Sequence, residues 1–307
     1  MKLSHSLVST VATLAFAGAA SAAFTNLLPA LGESNTFNSY TTGNLGTQGS
    51  WVTDTTSYSG TGAATSSSYT IAADPKTGAA FVNSLKITTA AVGSKDKSGT
   101  IEASGYRDAS QTISTAWSNR TAGQNFIVMN FSLYMPTNYA NGSSGTSNDV
   151  LMGGSIQDSS NHIIGGIYVK GDGSVFTSTA TASVSKSTTT WTNNFTDSGF
   201  NVTLGGGATG TWNTFQISYD TINRISTFKF TSTGGTSTGV KTIVATALNS
   251  GIGTIYSIDV GSNQGNSSGN SQTATIGYFD TIGAYAVPSP GAVALIGLAG
   301  LVARRRR

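Results

Sequence analysis

The chain has 307 residues, no cysteine, 38 glycines and only 9% charged side chains, where about 25% is usual. Without cysteine, disulfide scaffolds, zinc–thiolate centres, haem-attachment motifs and cysteine nucleophiles are all excluded. The net charge of +3 belongs to the ends: Lys2 and Arg304 to Arg307 are five of the 16 basic residues, and the eleven that remain face 13 acidic ones without forming the basic cluster that a nucleic-acid interface needs.

In chain order, Lys2, the apolar run Leu7 to Ala17 and the small-x-small signal Ala20-Ser21-Ala22 predict a signal peptide over residues 1–22, with the mature chain beginning at Ala23. Strands are predicted at Tyr69–Ala72 and Ser84–Thr89. The clearest period-2 signal is Asn125 to Met135, where Ile127, Met129, Phe131, Leu133 and Met135 share one face. Further strands are predicted at Val150–Gln157, Lys241–Ala247, Thr254–Val260 and Thr273–Tyr285. Two hairpins are expected, Ile163–Lys170 with Ser174–Thr179 around Gly171-Asp172-Gly173, and Phe215–Tyr219 with Phe228 and Phe230. No amphipathic helix is predicted, and no regular repeat is present. With 13 Phe, 11 Tyr and 4 Trp to fill a core, residues 23–286 read as one all-β, two-sheet sandwich.

The chain closes on Val287-Pro288-Ser289-Pro290-Gly291, an uncharged stretch to Ala303, and Arg304-Arg305-Arg306-Arg307. Thirteen residues of helix span about 20 Å, short of a bilayer's hydrocarbon core of about 30 Å, so residues 287–307 read as a sorting tail and only a transient membrane anchor. The arrangement resembles the PEP-CTERM tail of bacterial envelope proteins, with Ser289 where the commoner pattern has Glu. That resemblance implies an exosortase-type membrane protease as partner and a destination on the envelope surface or outside the cell.

A second resemblance rests on the Phe37 to Trp51 segment, on Trp212-Asn-Thr-Phe-Gln-Ile-Ser-Tyr-Asp220 and on Gly277-Tyr-Phe-Asp280. These look like concanavalin A-like, laminin-G-like domains. The implied fold is an antiparallel two-sheet jelly roll whose first and last strands pair, with Phe37 near Phe279 and with Trp51 and Trp212 packed.

Catalytic chemistry is sparsely supplied. Glycoside hydrolysis needs two flanking carboxylates, yet Glu33 and Glu102 are the only glutamates and no acidic pair stands at i and i+2 on a strand. The carboxylate cluster of jelly-roll glucanases is absent, which leaves a cross-strand pair built on Glu102 or Asp108. His162, the sole histidine of the mature chain, sits in a turn with no nucleophile elbow nearby. The sequence therefore predicts a non-enzymatic, exported surface or matrix protein, with an extracellular glycan hydrolase using Glu102 and a cross-strand Asp as the alternative. Polysaccharide is the expected ligand, with Trp117 and Trp191, in polar surroundings, expected to stack on sugar rings. No cofactor is expected; a structural calcium ion is the one metal considered, with Asp158, Asp172 and Asp259 as its candidates.

Overall fold

The computed structural model describes residues 24–28, 36–46, 48–53, 68–76, 82–88, 107–136, 150–158, 160, 162–185, 188–202, 212–232, 238–244, 255–262 and 276–288. The signal segment, Glu33, Glu102 and the tail beyond Pro288 lie outside these residues. Among the described residues no helix is long and apolar enough to cross a membrane.

The strands are β1 (Thr25–Asn26), β2 (Gly43–Asn44), β3 (Val52–Thr53), β4 (Tyr69–Ala73), β5 (Asn83–Thr88), β6 (Arg107–Thr112), β7 (Phe126–Tyr134), β8 (Val150–Gln157), β9 (Ile163–Lys170), β10 (Ser174–Ser185), β11 (Thr188–Asn201), β12 (Asn213–Asp220), β13 (Ile225–Ser232), β14 (Thr238–Val244), β15 (Ile255–Ser262) and β16 (Ile276–Val287). They form two antiparallel sheets packed as a jelly-roll sandwich. Sheet I runs β14-β13-β12-β7-β16-β5-β4-β2, with β1 also on β16; sheet II runs β11-β10-β9-β8-β15-β6-β3.

The alternation read from the sequence sets the core. Ile127, Met129, Phe131 and Leu133 of β7 and Phe215, Ile217 and Tyr219 of β12 all point inward, at 0–1% exposure. Phe131 stacks on Phe215 across the shared register, ring centroids 5.2 Å apart. From sheet II, Met152, Ile156, Ile167, Val169 and Val175 fill the same layer. The sheets touch closely where Gly165 leaves room for Ile217 and Phe228, and the Ser226 hydroxyl donates to the Ile164 carbonyl at 3.0 Å.

Both expected hairpins form. In the first, Gly173 takes φ 93° and the Asp172 carboxylate accepts from the Ser174 N–H. The first and last strands pair, Thr25 opposite Ala286 and Asn26 opposite Tyr285. Phe37, Trp51 and Phe279 are buried, as is Trp212 at 6%.

Three elements differ from the sequence reading. A short helix α1 (Ser114–Ser118) turns Trp117 inward. Strand β6 precedes it in a polar segment, Arg-Asp-Ala-Ser-Gln-Thr, where only Ala109, Gln111 and Ile113 face the interior. Strands β10 and β11 form a long hairpin whose Thr/Asn-rich sequence has no hydrophobic alternation to announce it.

Candidate functional site

Period-2 alternation leaves each sheet an outward face, and that of sheet II collects the chemistry. In β6, Ala109 and Gln111 are buried, as is Ile113 just after the strand, so Asp108, Ser110 and Thr112 stand on the other side, more exposed. The register then sets Asp259 of β15 directly opposite Asp108, and Ser257 opposite Ser110. The Asp259 position continues across the sheet through Gly153 of β8, Tyr168 of β9 and Phe176 of β10 to Asp197 of β11. The parallel row reads Ser110, Ser257, Ser155, Gly166, Ser178 and Phe195. Asp108, with Asp259 as its register partner, thus lies at the β6 end of this face, serine and glycine positions hold its middle, and aromatic rings together with Asp197 lie at the β9–β11 end.

The glycines explain how the rings lie. A Cβ on Gly166 would fall 2.7 Å from the Tyr168 ring and 3.3 Å from both Ile163 and Ser155, so that ring lies back over the glycine. Tyr168 is buried and meets the more exposed Phe195 edge to face at 5.3 Å. Phe176 is half-buried, and the Lys170 ammonium sits 4.5 Å above its ring. The middle of the face is covered, with Ser155 and Ser178 at 0% exposure and Tyr168 at 4%, and Phe176, Phe195 and Lys170 stand more exposed around it.

The outward face of sheet I holds a different cluster. The Trp212 indole N–H donates to the Asp74 carboxylate at 3.4 Å, although four strand spacings, roughly 19 Å on a flat sheet, separate β12 from β4. The sheet therefore curls, and Ser84, Ser132, Tyr134 and Asp280 beneath it are 0–2% exposed although they belong to the outward row. Tyr134 packs on Trp212 and Tyr278, with centroids 5.7 and 6.2 Å away.

Asp280 sits at the bulge of β16 against β7. One carboxylate oxygen accepts from the Thr281 N–H at 2.6 Å, and the Phe37 N–H also donates to the group; the other oxygen is buried without a partner. Burial pushes this carboxyl up to about 7, against the pull of those two N–H donors and with a further push from the negative Asp74. Asp280 has no exposed surface, so it serves to tie the bulge to the 3-10 turn Phe37–Ser39 and offers nothing to a ligand.

Several sequence-predicted positions fall elsewhere. Trp117 is 6% exposed, not in solvent: one side joins the core and the Arg120 guanidinium covers its ring at 3.7 Å. The polar neighbours that suggested exposure are the other sides of a helical turn. Trp191 lies in β11, opposite Ala182, with its side chain outside the described residues. The three calcium candidates do not converge. Asp158 and Asp172 flank opposite ends of β9, roughly 26 Å apart, and Asp259 lies inside β15. Asp158 already accepts from the Ser160 and His162 N–H groups and meets His162 Nδ1 at 3.0 Å. Among the described residues no three His, Asp or Glu side chains gather as metal ligands.

No family model and no curated protein matches the chain. Solved structures of similar fold include a sialidase, 9% identical with a TM-score of 0.46, covering 85% of this chain and 19% of its own. The chain thus spans about a fifth of that protein. Another is the catalytic domain of the glycoside hydrolase family 131 protein from Coprinopsis cinerea, 14% identical with a TM-score of 0.43, covering 81% of this chain and 91% of its own. A Bacillus licheniformis β-glucanase, 9% identical with a TM-score of 0.35, covers 76% of this chain and 97% of its own.

The non-enzymatic expectation is corrected by these matches, which include a glycoside hydrolase catalytic domain and a glucanase. Its physical basis was a carboxylate census taken along the sequence. A census of that kind does not see a pair that only sheet register brings together.

Proposed function

We propose that this chain is an exported, carbohydrate-active jelly roll that hydrolyses polysaccharide on the outward face of sheet II, with Asp108 and Asp259 as its carboxylate pair. The observation that carries the reading is their cross-strand register. Directly opposed positions hold their Cβ atoms about 4.5–5.5 Å apart, and retaining glycosidases keep their two carboxyl groups about 5–5.5 Å apart. In that chemistry one carboxyl gives its proton to the leaving oxygen while the other attacks the anomeric carbon, and water then releases the sugar. Ser110, half-buried on the next row, offers a hydroxyl partner to a glycan, and Phe176 and Phe195 offer rings. Asp259 thereby takes the place that the sequence reading gave to Glu102.

Export belongs to the same proposal. Cleavage after Ala22 removes the signal segment, and an exosortase-type protease acts at the Val287 to Gly291 motif, leaving the domain on the envelope surface or released. Val287 ends β16 and Pro288 follows it, so the motif begins where the sheet stops.

The test is reducing-sugar release from a panel of polysaccharides, paired with binding measurements. Asp108→Asn and Asp259→Asn are each expected to lower turnover at least about 100-fold while binding and thermal stability hold. Binding without turnover by the unaltered chain, or full turnover in both variants, overturns the hydrolytic reading.

A further inference from the structure

We propose that the polysaccharide is an acidic one, a polymer carrying uronate carboxylates, and that Lys170 selects it. The inference rests on the functional reading above and adds the charge of the substrate.

Lys170 closes β9 two positions after Tyr168, so it stands on the same outward face as the Asp108–Asp259 row. Its ammonium lies over the Phe176 ring and is half-buried. The ion pair found between described side chains, His162 with Asp158, does not involve Lys170. A ring face holds an ammonium in place without using its three N–H donors, which remain for an incoming anion.

The two ends of the face then set the polarity of the bound chain. The aspartate pair repels a carboxylate, and Asp197 opposite Phe176 opposes Lys170 in part, whereas Lys170 attracts one from two strand spacings beyond β15, roughly 10 Å away. A uronate polymer is held with an acidic sugar at the Lys170 end and a glycosidic bond at the aspartates. A neutral glucan offers Lys170 hydroxyl acceptors but no charge.

The experiment compares affinity for polygalacturonate and alginate with affinity for the esterified form of each, which keeps the backbone and removes the charge, and includes a neutral β-glucan. The unaltered chain is expected to prefer at least one acid polymer over its ester by about tenfold at low salt, with the gap narrowing as salt rises. Lys170→Met should remove the preference, Lys170→Arg should keep it, and Asp108→Asn should keep it while losing turnover. Equal affinity for acid and ester forms, or a preference that survives Lys170→Met, overturns the proposal and leaves the hydrolytic reading intact. Failure to bind or cleave any glycan overturns both.

Discussion

Asp220 and Asp280 both lie in strands of sheet I, and their neighbours drive them in opposite directions. Burial pushes Asp220 up, but hydrogen bonds from the Asn223 side chain and from the Asn223 and Ile222 N–H groups outweigh it and hold the carboxyl below its ordinary range. Its stabilisation is present above the unfolded value of about 4 and is lost as pH falls through the lowered folded one. Asp280 is the reverse case: with a folded value of about 7, its protonated form is the one the fold prefers, so its contribution is complete below about pH 4 and is lost as pH rises through 7. Asp280→Asn should therefore flatten the fall in melting temperature between about pH 4 and 8, and an unchanged slope in thermal scans counts against this account. Asp220→Ala should cost about 1–2 kcal/mol near neutral pH, because it strips the β12–β13 turn of three partners while Arg224 is held at φ 59°. Gly153 is constrained by space alone. A Cβ there would fall 2.0 Å from the Ile167 carbonyl oxygen, and Gly153→Ala should cost about 3 kcal/mol in a denaturant titration.

Elements were legible in the sequence to the degree that their side chains alternate. Strand β7 could be read from Ile127, Met129, Phe131 and Leu133, and the hairpin of β12 with β13 from its phenylalanines, because a half-buried strand must show one apolar face. The β10–β11 hairpin was legible only at its Gly-Asp-Gly turn and first residues, since a strand of Thr and Asn carries the same pattern as a polar loop. Helix α1 was missed because five residues are too few for a 3.6-residue period to declare itself. That miss matters for the site, since the turn buries Trp117; Trp117→Ala should cost about 3–5 kcal/mol of stability, as measured by chemical unfolding. The candidate site was the least legible part. The pairing of Asp108 with Asp259 comes only from the register of β6 on β15, which no local pattern encodes, and Phe176 joins the same row through three further strand pairs and Asp197 through a fourth.

At the scale of the whole molecule, the sandwich is closed by its ends. Strand β16 lies between β7 and β5 at the middle of sheet I, and β1 adds to it beyond the bulge. Leu27 and Leu28, at 1% and 0% exposure, anchor the first strand, so a chain beginning at residue 29 should unfold at lower temperature than one beginning at Ala23. A chain ending before Ile276 leaves β7 and β5 with open edges and Phe131 without Phe279 at 6.4 Å; it should fail to give a cooperative transition in calorimetry. The central position of β16 also governs timing. The strand that completes sheet I is the last of the described strands in chain order, so all the others must be made before the β7 and β5 edges can be joined. Under the proposed export this ordering would act as a safeguard: sheet I is incomplete until β16 arrives, and the chain stays threadable until then.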